Sequence, residues 1–157
     1  MKRILILYAS ATGNTEEIAC LLEQHIDKTV FEVTLKNFEM DELDVQQLHL
    51  YDGILFGTYT YDDGDLPFET EVFADLLEAM ELPGKIVGVF GSGDLSYFDF
   101  CGAVESMQER FRQAHATVLE HAVKVDLFPD DEEELQLIQK LARLFQLALL
   151  NSGITVR

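Results

Sequence analysis

The chain has 157 residues, 48% of them hydrophobic, two cysteines, and 29 acidic against 11 basic side chains, giving a formal net charge of −18. A chain of this length buries about 70% of its extended surface as one domain, here spanning 1–157, and needs neither a metal nor a disulfide framework to fold. The charge argues against nucleic-acid and anionic-membrane partners, no apolar run approaches the ~18 residues of a membrane span, and the N-terminus lacks a signal-peptide pattern, so a cytoplasmic protein with reduced thiols is expected.

The elements alternate along the chain. Ile4 to Tyr8 is a continuous apolar run, as a strand buried on both faces requires. Gly13 to Asp27 reads as a helix with Ile18, Ala19, Leu22 and Ile26 on one face. Val30 to Leu35 alternates apolar and polar, and reads as a half-exposed strand. Phe38 to His49 is acidic and reads as a loop with a short helical turn. Gly53 to Thr58 is a second buried strand. Pro67 opens a helix to Met80, as Pro at a first turn permits. Ile86 to Gly91 is the next strand, and Ala103 to Ala114 the next helix. Val118 to Leu127 holds a strand or a broken pair. Asp131 to Leu150 is the last helix, with acidic residues where its dipole favours them. Five strands alternating with helices predict a parallel sheet covered on both faces.

Ligands of such sheets bind outside the carboxyl ends of the strands. That rule brings together three segments, 10–15, 58–65 and 92–101. The first is Ser10-Ala11-Thr12-Gly13-Asn14-Thr15, set between a strand and a helix. A helix N-terminus offers free N–H groups and a dipole that favours anions. The hydroxyls and the amide add donors, and Gly13 permits close backbone approach. There is no Lys or Arg in this loop, so it reads as a phosphate cradle without a cation. The second loop, Thr58-Tyr59-Thr60-Tyr61-Asp62-Asp63-Gly64-Asp65, and the third, Ser92-Gly93-Asp94 through Tyr97 to Phe100-Cys101, carry aromatics among small polar residues. Core packing explains loop aromatics poorly. Together the loops predict a flat aromatic ligand bearing a phosphate, bound largely by stacking. Backbone groups at Gly93, Asp94 and Thr60 are placed to read its polar edge.

These three loops resemble, in order, those of the flavodoxins, small carriers of flavin mononucleotide (FMN). The first is similar to the family's Thr/Ser-x-Thr-Gly-Asn-Thr phosphate loop. The second, Gly57 through Pro67, is similar to the loop on the inner flavin face, and the third, Gly91 to Ala103, to the loop whose tyrosine stacks on the outer face. The resemblance implies a doubly wound α/β sheet of order 2-1-3-4-5, an order for which flavodoxin is itself the standard illustration. The segment from Val118 to Glu134 has no room for the extra loop of long-chain members, which implies the short-chain bacterial type. By resemblance, Ser10, Thr12, Asn14 and Thr15 hold the phosphate with backbone N–H groups from Ala11 to Thr15. Tyr97 and Tyr61 cover the two flavin faces, and Thr60, Asp62, Ser92, Asp94 and Cys101 line the ring edge. Thr58, Tyr59, Asp63, Gly93 and Phe100 complete the cofactor-binding set.

Two positions depart from the family pattern. Tyr61 stands where Trp is usual and covers less flavin. Asp62 stands where Gly is frequent, in a turn whose peptide can flip in the family, and Gly tolerates the resulting φ better than Asp does; the resemblance therefore implies a less stabilised one-electron form. Asp62, Asp63, Asp65, Glu69 and Asp94 crowd this end. Their field disfavours an added electron and attracts basic partners. The implied protein is a monomeric, low-potential electron carrier meeting basic-surfaced reductases and acceptors transiently, not an enzyme. The alternative is a flavin-dependent quinone or nicotinamide reductase on the same fold, although no segment suggests the second substrate's site. A phosphotransfer receiver would need acidic residues where Ser10-Ala11 and Thr58-Tyr59 stand, and a P-loop triphosphatase a Lys-Ser/Thr pair after Gly13. The four histidines have no metal spacing, and Cys101 reads as a packing residue.

Overall fold

The computed structural model describes residues 1–37, 41, 44–61, 63–97 and 99–152. The sheet is built outward from β1 (Lys2–Tyr8), which pairs in parallel with β2 (Phe31–Asn37) on one side and β3 (Gly53–Tyr59) on the other. β4 (Ile86–Gly93) follows β3 in parallel, with Tyr59 opposite Ser92. The order is 2-1-3-4-5, as expected. The last lane is a broken pair. β5 (Thr117–Val118) adds to the start of β4, and β6 (Val123–Asp126) adds to its end. Between them the chain leaves the sheet, and the buried Gln108 Nε2 donates to the carbonyls of Leu119 (3.2 Å) and Glu120 (3.5 Å), replacing lost ladder partners.

The two-residue period of a strand separates two cores. Ile4, Ile6 and Tyr8 face the side covered by α1 (Asn14–Gln24) and α4 (Glu132–Ser152), where Ile18, Leu22, Leu141 and Phe145 pack. Leu5 and Leu7 face the side covered by α2 (Phe68–Leu77) and α3 (Gly102–Gln113). There Phe56 stacks on Phe73 at 5.0 Å and meets Phe111 edge-on at 5.5 Å. Gly57 is small for a packing reason: a Cβ there would lie 2.2 Å from the Phe90 ring.

β2 runs to Asn37, past the Leu35 expected from the sequence, and further differences lie at helix ends. α1 stops at Gln24 rather than Asp27, because the N–H groups of His25 and Ile26 turn back to the carbonyls of Leu22 and Glu23, and the Asp27 carboxylate accepts from the Thr29 N–H at 2.9 Å. α2 stops at Leu77, with Ala79 and Met80 closing similar tight turns onto Leu76 and Leu77. In the acidic segment, a 3₁₀ turn spans Val45–Leu50, its first turn capped by the Asp44 side chain on the Gln46 N–H; residues 38–40, 42 and 43 of that segment lie outside the described residues.

Candidate functional site

At the carboxyl edge of the sheet, β1 hands over to α1 through Ser10–Gly13. Ser10 is buried, and its Oγ accepts from the N–H groups of Gly13 and Glu16, both at 3.2 Å. Gly13 makes the turn with φ +89, and a Cβ there would meet no other atom within 4 Å. The glycine is thus required by conformation, not by space. The N–H groups of Ala11, Thr12, Asn14 and Thr15 have no hydrogen-bond partner among the described residues. These are converging donors at a helix start, and they suit an anion. The Thr15 hydroxyl is 1% exposed and lies 2.7 Å from the Ser92 hydroxyl, so it ties the first loop to the third instead of pointing outward.

The second and third loops are joined to each other. The Thr60 N–H donates to the Ser92 carbonyl at 3.1 Å, and the Thr60 Oγ1 accepts from the Ala103 N–H at 3.3 Å. The Asp63 carboxylate accepts from the Asp99 N–H at 2.7 Å. The Asp99 carboxylate lies against Gly64 and Gly102, where added Cβ atoms would come within 2.3 and 2.5 Å of it. Tyr61 and Asp65 exchange backbone hydrogen bonds at 2.8 and 2.9 Å, closing a tight loop that holds Tyr61 62% exposed. In the third loop, the Asp94 carboxylate accepts from the Ser96 N–H at 2.9 Å, which holds its carboxyl below the usual aspartate range. The Tyr97 N–H bonds the Asp94 carbonyl, and Tyr97 stands 44% exposed.

Between the loops lies a cleft of about 160 Å³ lined by Ser10, Ala11, Thr12, Asn14, Thr15, Tyr59, Thr60, Ser92, Gly93, Asp94 and Leu127. Ten of these belong to the sequence-predicted set. Leu127 does not, and the only signal for it was its place at the carboxyl end of the last parallel strand. No lining residue is cationic. The donor set fits a phosphate ester: unpaired N–H groups at a helix start, the exposed Thr12 hydroxyl, and no carboxylate within the first loop. Tyr61 and Tyr97 stand outside this lining, as exposed rings in the second and third loops.

Other predicted residues are placed differently from the cleft. Thr58 is fully buried, with its hydroxyl 2.9 Å from that of Thr70, so its side chain faces α2. Phe100 leans on the core between the sheet, α2 and α3. Cys101 is fully buried beneath Gly93, its Sγ directed at the Val125 carbonyl, and burial pushes its thiol up to about 12. It is inert packing that starts α3 from a left-handed backbone, φ 55. Asp62 lies outside the described residues. A larger hollow, about 750 Å³, opens on the outer side of the second loop, where Tyr59 donates its hydroxyl to Glu69 at 2.9 Å. It lacks the anion-binding N–H groups of the first loop, so chemistry rather than size identifies the smaller cleft. Among the described residues no group of His, Cys, Asp and Glu could hold a metal ion, and no helix is long and apolar enough to cross a membrane.

A family model described as flavodoxin matches residues 6–139. Probable flavodoxin 2 of Bacillus subtilis is 42% identical over 142 residues, covering 88% of this chain and 91% of the relative. Probable flavodoxin 1 of the same organism is 37% identical over 145 residues, covering 92% and 90%. Among solved structures, oxidised flavodoxin 2 from Bacillus cereus superposes with a TM-score of 0.86 at 44% identity, covering 92% of this chain and 97% of that one.

Proposed function

The chain belongs to the flavodoxin family, and from that membership we propose that it is a low-potential electron carrier that holds FMN non-covalently across its three loops. The observation that carries this reading is the cation-free set of N–H groups at the start of α1, bound by Thr15 and Ser92 to a third loop that presents an exposed tyrosine. When bound, the flavin supplies the redox chemistry; the chain holds, shields and electrostatically tunes it. Ala11, Thr12, Asn14 and Thr15 bind the phosphate through backbone N–H groups, with Ser10 fixing the turn. Tyr61 and Tyr97 cover the ring faces and exclude water. Thr60, Ser92, Gly93 and Asp94 face the polar edge. Asp63 and Cys101 act one step back, the first by joining two loops and the second by packing beneath one.

With Asp65, Asp94 and Glu69 nearby and no cation in the cleft, added negative charge is disfavoured, which lowers the potential. The same carboxylates draw basic-surfaced reductases and acceptors into small, transient encounters with a monomer in the cytoplasm. The test is a visible spectrum and FMN titration of the purified protein. Flavin bands at one equivalent, with reduction by a basic partner slowing as salt is added, are expected. A protein that neither carries nor takes up FMN overturns the reading.

A further inference from the structure

Leu127 follows β6 with φ 60, a left-handed conformation that glycine or asparagine adopts far more readily than leucine. Two other described non-glycine residues share a positive φ, Cys101 and His115. Cys101 is fully buried, and His115 is the left-handed residue that closes the end of α3, its N–H bonded to the Arg112 carbonyl at 2.9 Å. Leu127 has neither explanation, because it follows a strand, is 51% exposed and is absent from both cores. Its backbone is nevertheless pinned: the Leu127 N–H donates to the Gly93 carbonyl at 2.8 Å, against the third loop. Pinned there, it lines the same cleft as Ser10, Thr12, Thr60 and Asp94. That lining is otherwise hydroxyls, an amide, a carboxylate, a glycine, the Ala11 methyl and Tyr59. Leu127 alone contributes a branched aliphatic group. A residue that fits its backbone poorly, gains nothing from the core and faces a ligand cleft points to a role toward the ligand.

We propose that Leu127 is a cofactor-positioning residue: its isobutyl group forms a fourth, apolar wall of the cleft that excludes water and slows cofactor release, at some expense to the stability of the fold. The inference rests on the FMN reading above. Glycine at this position would satisfy the backbone but leave the wall open. Fold stability and cofactor affinity should therefore move in opposite directions, which a purely structural residue would not produce.

The experiment compares full-length wild type with Leu127→Gly and Leu127→Ala. FMN affinity is measured by flavin fluorescence quenching, and release by dilution. Melting is followed across a series of FMN concentrations and extrapolated to zero FMN. Both variants are expected to bind FMN about tenfold more weakly and release it faster, as loss of one half-buried aliphatic group implies. Leu127→Gly, and not Leu127→Ala, is expected to raise the zero-FMN melting temperature by about 2–4 °C. Affinity within twofold of wild type in both variants overturns the proposal. So does weaker binding by Leu127→Gly accompanied by a lower zero-FMN melting temperature, because the loss is then one of fold. A wild type that takes up no FMN overturns this inference and the carrier reading together, whereas unchanged affinity in a protein that binds FMN overturns this inference alone.

Discussion

The first loop and the two tyrosine loops meet at one sheet edge but are built on different principles. Ser10 and Thr15 are 6% and 1% exposed, and their hydroxyls are spent on organising Gly13, Glu16 and Ser92. The outward donors are backbone N–H groups, fixed in place by a strand behind and a helix ahead. Tyr61 and Tyr97 instead stand in the open, on loops held mainly by each other through Asp63, Asp99, Thr60 and Ala103. On the proposed reading, a cradle fixed by buried hydroxyls gives constant affinity for a constant group, the phosphate. On the same reading, exposed walls leave the flavin edge within reach of partners, and they are where charge and ring size can vary without unfolding the protein.

The largest expected effect comes from breaking the cradle. Ser10→Ala removes the acceptor for two N–H groups, worth about 2 kcal/mol together, so FMN affinity falls by about 30-fold. Isothermal titration with FMN and with riboflavin checks this. A loss for FMN that is absent for riboflavin places the damage at the phosphate, and equal losses for both would contradict the division of labour between the loops.

Breaking the link between the tyrosine loops acts more mildly. Asp63→Ala leaves the Asp99 N–H without its acceptor at an exposed site, worth about 1 kcal/mol. FMN release measured by stopped-flow dilution is expected to quicken about fivefold, with riboflavin affected to the same degree. Faster release of FMN but not of riboflavin would assign Asp63 to the phosphate instead.

The smallest effect is a pH dependence. The Asp94 carboxyl is held below its ordinary value of 3.8 by the Ser96 N–H. A group whose folded pKa is depressed stabilises above its unfolded pKa and loses that contribution as pH falls through the folded value. The wild type should therefore melt slightly above Asp94→Ala from neutrality down to about pH 4, with the difference closing below that. A difference that grew on acidification would refute the assignment.

Much of this was legible in the residues themselves. The apolar runs at Ile4–Tyr8, Gly53–Thr58 and Ile86–Gly91 have the continuous pattern of strands covered twice, and helix faces follow from spacing alone, so the 2-1-3-4-5 sheet needed only these and the family likeness. Ser10–Thr15 could be read as a cradle because strand, turn and helix are consecutive, and N–H groups at a helix start are a local property. Side-chain commitments were not legible. Thr58 sits at the start of the second loop, yet its hydroxyl lies against Thr70 on α2; nothing in the chain pairs the Asp63 carboxylate with the Asp99 N–H; Leu127 reads as a strand end, yet it lines the cleft. Each depends on a partner from a different element, and hydrogen bonding and burial between elements are settled only when the sheet brings their ends together. Local chemistry in the chain gave the kind of site, while packing across the strands chose which atoms face it.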